Sequence, residues 1–211
     1  MAQIFVSHSG KDKQFVDFFS NAFSGTKVKA ILEEFEQILT GKITSQKIST
    51  DIEKSNAVFV LLSKSVQKIP HTRDWIVWET GVAKNKDIWI FEPYEQFGKI
   101  SVITPIVKNY VIFNTDEVHL GYIRKIIESY DNSHVLPTVL ISSGVGAILG
   151  KSEGATIGAM TGLVLSNRVK DRPGGVEVNC ANCFSTYQIH IPDGMTKFRC
   201  PVCNRYLETN V

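Results

Sequence analysis

At 211 residues with 43% hydrophobic content, the chain is long enough to bury one full core and carry a smaller unit beside it. Its net charge of +2, with the surplus confined between residues 134 and 176, is too small and too local for a nucleic-acid footprint, so no nucleic-acid partner is expected. The amino terminus, MAQIFVSHSG, lacks the basic start and long apolar run of a secretory signal, which predicts a cytoplasmic location.

From Gln3 to about Tyr130, short runs rich in Val, Ile and Phe alternate with helical patterns. QIFVSH, KVKAIL, NAVFVLLS, DIWIFEP and VITPIVKNYVIF have lengths that suit strands. Between them Phe15, Phe18, Phe19, Ala22 and Phe23 recur at helical spacing, as do Ile48 and Ile52, then Trp75, Trp78 and Val82, and finally Leu120, Ile123, Ile126 and Ile127. This alternation predicts an α/β fold with a five-stranded parallel sheet covered on both faces. Ligands of such sheets bind outside the carboxyl ends of the strands, which makes the loops SHSGKD and EQILTGKIT site candidates.

From Val135 to Leu165 the chain turns to Gly, Ala, Ser and aliphatics, with Gly146, Gly150, Gly154, Gly158 and Gly162 at four-residue intervals. That spacing lets helix backbones approach closely. Neither arm, Val135 to Gly150 or Gly154 to Asn167, reaches the roughly 20 residues of a membrane span, so the expectation is a tight helical hairpin turning at Lys151 to Glu153. The expected packing partners of the glycines are the two arms themselves, copies from neighbouring chains, or a membrane met through residues 135–167, where Lys151, Arg168, Lys170 and Arg172 suit anionic lipid. NRVKDRPGG then reads as a linker. The resulting division is 1–134, 135–169, a linker at 170–175, and 176–211.

All four cysteines fall in the last segment, which is too small to hold a core of its own. CANC and CPVC, sixteen residues apart, have the spacing of a four-cysteine zinc site formed by Cys180, Cys183, Cys200 and Cys203. A closed four-thiolate shell leaves no open coordination position, so zinc here is structural. The stretch between the pairs, STYQIHIPDGMTKFR, alternates as a β-hairpin would, and the whole resembles the short zinc ribbons. Chelation is expected to unfold this ribbon and spare the rest.

In HTRDWIVWETGVAKN the two tryptophans read as core, and Glu79, one turn after Trp75, stands at the edge of their stripe. Partial desolvation there favours a hydrogen-bonding partner, protein or ligand. The plainer alternative is a boundary glutamate paired with Arg73 or a lysine.

QIFVSHSGKD, ISTDIEKSNAVFVLLSKSV and DWIVWETGVA, in that order, resemble a TIR (Toll/interleukin-1 receptor/resistance protein) domain over Gln3 to Tyr130. Trp75-x-x-x-Glu79 is similar to the motif of TIR domains that cleave NAD. The sequence departs from the family pattern at His8 and Ser9, and at Glu33 and Glu34. The resemblance implies a flavodoxin-like fold, NAD+ as substrate, Glu79 as the catalytic residue, and an immune or antiphage effector activated by self-association. It also places the substrate near Trp75 and near Ser7, His8, Ser9, Gly10 and Lys11. The other reading it leaves open is a non-catalytic TIR adaptor acting by self-association. SHSGKD contains no Gly-x-Gly-x-x-Gly, which argues against a hydride-transfer enzyme of the Rossmann type.

Overall fold

The computed structural model describes residues 1–34, 44–68, 70–96, 106–131, 175–191 and 195–208. The expected hairpin at 135–165, the linker except for Gly175, and most of the loop EQILTGKIT lie outside them.

The elements run β1 (Gln3–His8), α1 (Lys13–Phe23), β2 (Lys29–Glu34), α2 (Ser45–Lys54), β3 (Ala57–Leu61), α3 (Lys64–Lys68), α4 (Pro70–Val82), β4 (Asp87–Pro93), a 3-10 turn at Tyr94–Gln96, β5 (Asn109–Phe113), α5 (Glu117–Glu128), β6 (Val176–Asn179), β7 (Thr186–His190), β8 (Lys197–Arg199) and β9 (Tyr206–Glu208). The five apolar runs became β1 to β5, joined in the order β2-β1-β3-β4-β5 with every pair parallel. This is the flavodoxin-like winding, in which the chain changes direction between β1 and β3 and leaves a crevice outside their carboxyl ends.

Strands β1, β3, β4 and β5 are buried on both sides because their successive side chains feed two separate cores. On one face Ile4, Val6, Phe59, Trp89, Phe91, Val111 and Phe113 meet the stripes of α1 and α5. Phe19 is central to that packing, its ring centroid 5.0 Å from Phe91 and 5.6 Å from Phe113. On the other face Phe5, Val58, Val60, Ile88, Ile90, Tyr110 and Ile112 meet Ile48 and Ile52 of α2, Val66 of α3, Ile76 of α4 and Ala83 just beyond α4. Side-chain caps start two of the helices: Thr44 accepts from the Lys47 amide at 3.2 Å, and Asp116 from the His119 amide at 2.8 Å.

The carboxyl-terminal segment departs from the expectation of a self-contained ribbon. β7 pairs parallel with β5 and antiparallel with β6, extending the sheet to seven strands. Cys180, Tyr187, Ile189, Phe198 and Cys200 are buried in the same core as Phe5 and Val60. The expected hairpin between the cysteine pairs is not formed, since β8 pairs with β9 and β7 with the main sheet. The physical reason is the open edge of β5: its unpaired backbone groups and apolar flank offer β7 more than β8 can. Among the described residues no helix is long and apolar enough to cross a membrane.

Candidate functional site

Alternation along β1 sends Ile4 and Val6 to the α1 face and Phe5 and Ser7 to the face covered by α4. On α4 the buried stripe is Ile76, Glu79, Thr80, with Ala83 next, at i, i+3, i+4 and i+7. This corrects the expected stripe: Trp78 is 36% exposed, while the side chain of Trp75 lies outside those described. Glu79 is instead turned inward, 2% exposed, and accepts a hydrogen bond from the Ser7 hydroxyl. Thr80 beside it is satisfied within the helix, donating to the Ile76 carbonyl at 2.9 Å. A carboxylate buried this deeply persists only with hydrogen-bonding partners, and Ser7 is one.

The loop after β1 is held by its own polar atoms. His8 is buried, its Nδ1 3.2 Å from the Val6 carbonyl. Ser9, fully buried, accepts from the Lys11 amide at 3.3 Å through its hydroxyl and from the Asp12 amide at 3.0 Å through its carbonyl. Gly10 and Lys11 are exposed at the tip. Asp12 is buried and accepts from the Ser63 hydroxyl, which in turn accepts from the Val66 amide at 3.2 Å. The pair Asp12 and Ser63 joins the loops that follow β1 and β3, across the crevice where this winding changes direction. A third buried carboxylate, Glu92 at the end of β4, accepts from the Tyr110 hydroxyl. Burial first, and the charge of Glu92 second, hold the Tyr110 phenol well above its ordinary pKa.

Glu92 was not among the candidates read from the sequence, and Asp12 lay in the candidate loop SHSGKD without being assigned a role. Glu92 had a signal, a carboxylate inside the otherwise apolar end of DIWIFEP. Asp12 had only its place in that loop, because an acid heading a helix is ordinarily a solvated cap. A surface pocket of about 210 Å³ opens elsewhere, lined by Val118, His119, Tyr122 and His190 among others, and neither Glu79 nor the loop Ser7 to Lys11 borders it.

The four cysteines are brought together by two matching turns. In one, the Phe184 amide donates to the Cys180 carbonyl at 2.7 Å and the Cys180 amide to the Ser185 carbonyl at 3.0 Å. In the other, Asn204 donates to Cys200 at 2.8 Å and Cys200 to Arg205 at 2.8 Å. Each turn closes on a left-handed residue, Phe184 at φ 59° and Asn204 at φ 61°. That conformation is uncommon for a phenylalanine and persists only where the surrounding bonds impose it. All four sulfurs lie within 4.8 Å of one another, with Cys180 to Cys203 at 3.7 Å and Cys183 to Cys200 at 3.8 Å. A tetrahedron with metal–sulfur bonds of about 2.3 Å has sulfur–sulfur edges of about 3.8 Å, so the shell has the dimensions of a zinc site. The Ser185 hydroxyl draws the Cys183 thiol down to about 6, whereas burial pushes Cys180 up to about 11.

Comparison with curated proteins and with solved structures gives no match. The family model of the TIR domain matches residues 4–91, the stretch from β1 into β4 that contains Ser7 to Asp12, Ser63 and Glu79, so this part of the chain is similar to a TIR domain.

Proposed function

We propose that the chain is an NAD+ glycohydrolase in which Glu79 is the catalytic carboxylate. The observation that supports this most is the meeting of Glu79 with Ser7 at the carboxyl end of β1, beside the crevice in which this winding takes ligands. Cleavage of the nicotinamide–ribose bond needs no proton on the leaving group, because nicotinamide departs neutral with the electron pair of the broken C–N bond. One carboxylate is therefore enough. Glu79 holds the ribose hydroxyls and stabilises the positive charge that grows on the anomeric carbon, while Ser7 fixes its orientation. Water then adds to that carbon and loses a proton to give ADP-ribose; a nucleophilic atom of the same nucleotide adding instead gives a cyclic product. Trp75 keeps the substrate assignment that the sequence resemblance gives it, and the exposed tip of the loop, Gly10 and Lys11, meets the phosphates. His8 and Ser9, being buried, place that loop.

The four cysteines hold one structural zinc ion in this reading, and the ion supplies folding energy rather than chemistry. Self-association through the TIR-like region and the glycine-rich 135–169 brings copies together in an immune or antiphage effector, with membrane contact through 135–167 as the other use of that segment. Gly154→Leu with Gly158→Leu tests the packing role: sizing that finds assembly and solubility unchanged rejects it.

The deep burial of Glu79 favours a second reading, a non-catalytic adaptor in which this carboxylate only ties α4 to β1. One experiment separates the two. The purified chain is incubated with NAD+ at concentrations that permit assembly, and free nicotinamide is measured for the wild type and Glu79→Gln. Release by the wild type and its loss in the variant supports the enzyme; an assembled wild type that releases none supports the adaptor.

A further inference from the structure

Tyr187 stands on β7, in the buried cluster that also holds Cys180 and Cys200. It is 2% exposed, and its ring meets Tyr110 edge-on, centroids 6.5 Å apart and planes at 74°. Its hydroxyl, however, has no hydrogen-bond partner among the described residues. A buried phenolic O–H left unpaired costs about 1–3 kcal/mol, so the folded protein should provide an acceptor. Of the neighbouring thiols, that of Cys200 bears most strongly on this oxygen. A neutral thiol accepts weakly, whereas a metal-bound thiolate carries the charge that makes a strong acceptor.

We infer that Tyr187 is a donor just outside the metal's ligand shell, its hydroxyl donating to the Cys200 thiolate of the loaded site and so tying the metal to the edge of the main sheet. The inference rests on the zinc reading above. Its structural consequence follows from register: Tyr187 precedes Gln188, Ile189 and His190, which pair with Asn109, Tyr110 and Val111 of β5. Three further contacts hold the same strand. His190 is bonded through Nδ1 to the Tyr122 hydroxyl, its ring stacks on Trp89 at 5.7 Å, and Ile189 lies in the shared core. Metal loading and docking of β7 on β5 thereby become one event, with Tyr187 as the positioning residue between them.

Tyr187→Phe isolates the hydroxyl, since the ring and its packing on Tyr110 are retained. The zinc-loaded full chain is titrated with a chromogenic chelator, and hydrogen exchange is followed at the amides of β7. Tyr187→Phe should release zinc at an apparent affinity about 10–100-fold lower than the wild type, with the wild-type circular dichroism preserved. Equal affinity in the two proteins overturns the inference while leaving the zinc site standing. A wild type purified under reducing conditions without zinc removes the zinc reading and this inference together. Should the variant fail to fold, the tyrosine ultraviolet difference spectrum of the wild type decides: zinc addition shifts it if the phenol gains a thiolate acceptor, and an unmoved spectrum overturns the proposal.

Discussion

Ser7 and Glu79 are 72 residues apart in the chain and meet in one buried hydrogen bond, the hydroxyl at the end of β1 donating to the carboxylate on α4. The contact exists because β1 turns Ser7 toward the face that α4 covers and because the buried stripe of α4 includes Glu79. Position and chemistry are thus fixed by the same packing.

Removing either partner separates stability from the proposed NAD+ cleavage. Ser7→Ala leaves a buried carboxylate short of one donor and should destabilise the fold by about 1–3 kcal/mol. Glu79→Gln keeps the shape and should lower NAD+ cleavage by roughly 10²-fold or more while costing less stability. A double-mutant cycle on denaturant midpoints measures the coupling. Strict additivity of the two substitutions would rule out the pairing.

Loss of the proposed zinc should act on the whole molecule. The sequence suggests a ribbon that unfolds alone, but β7 belongs to the main sheet and Cys180 and Cys200 to its core. Chelation under reducing conditions should therefore lower the midpoint of a single cooperative transition and expose the β5 amides to exchange. Two separate transitions, with the TIR-like part unmoved, would count against this coupling. Because thiols give up protons when they bind a metal, its affinity should also fall as the solution is acidified.

The parts of this fold legible in the sequence are those whose burial leaves a periodic mark. NAVFVLLS is apolar almost throughout because β3 is covered on both faces, and the phenylalanines of α1 repeat at helical spacing because one stripe faces the sheet. On α4 the apolar spacing singles out Trp75, Trp78 and Val82, yet Trp78 is 36% exposed and tertiary packing buries Ile76, Glu79 and Thr80, with Ala83 next. No local pattern could disclose it. TYQIH alternates equally well for a private hairpin or for a strand added to β5, so the partner of β7 is decided by the open edge rather than by the segment itself. The cysteine spacing, by contrast, is local chemistry, and the four sulfurs meet as it predicts.

Asp116 supplies a pH test at a distance from both sites. The His119 amide, followed by the His119 ring, holds its carboxyl below the ordinary range. A depressed pKa contributes stability that is complete above the unfolded value near 4 and is lost as pH falls through the folded value. Asp116→Asn retains a capping oxygen that does not titrate. The wild type should therefore be the more stable at pH 7, by well under 1 kcal/mol because the side chain is 47% exposed, and the difference should vanish in acid. A difference that stays constant down to pH 2 would refute the assignment.

Gly175, immediately before β6, tests how closely the carboxyl-terminal hairpin is fitted to the sheet. A Cβ there would lie 2.6 Å from His190 Nε2 and 2.9 Å from the Ile189 carbonyl oxygen. The imidazole has little room to retreat, held as it is by the Tyr122 hydroxyl and stacked on Trp89, and the carbonyl belongs to the backbone of β7. Gly175→Ala must consequently push β6 outward or tear His190 from its partners, and should destabilise the protein by about 1–3 kcal/mol. In a His190→Ala background the ring is gone but the carbonyl remains, so the same substitution should cost less without becoming neutral. Denaturant midpoints of the four proteins give the result, and an unchanged midpoint for Gly175→Ala alone would show that the hairpin is not seated against His190 as described.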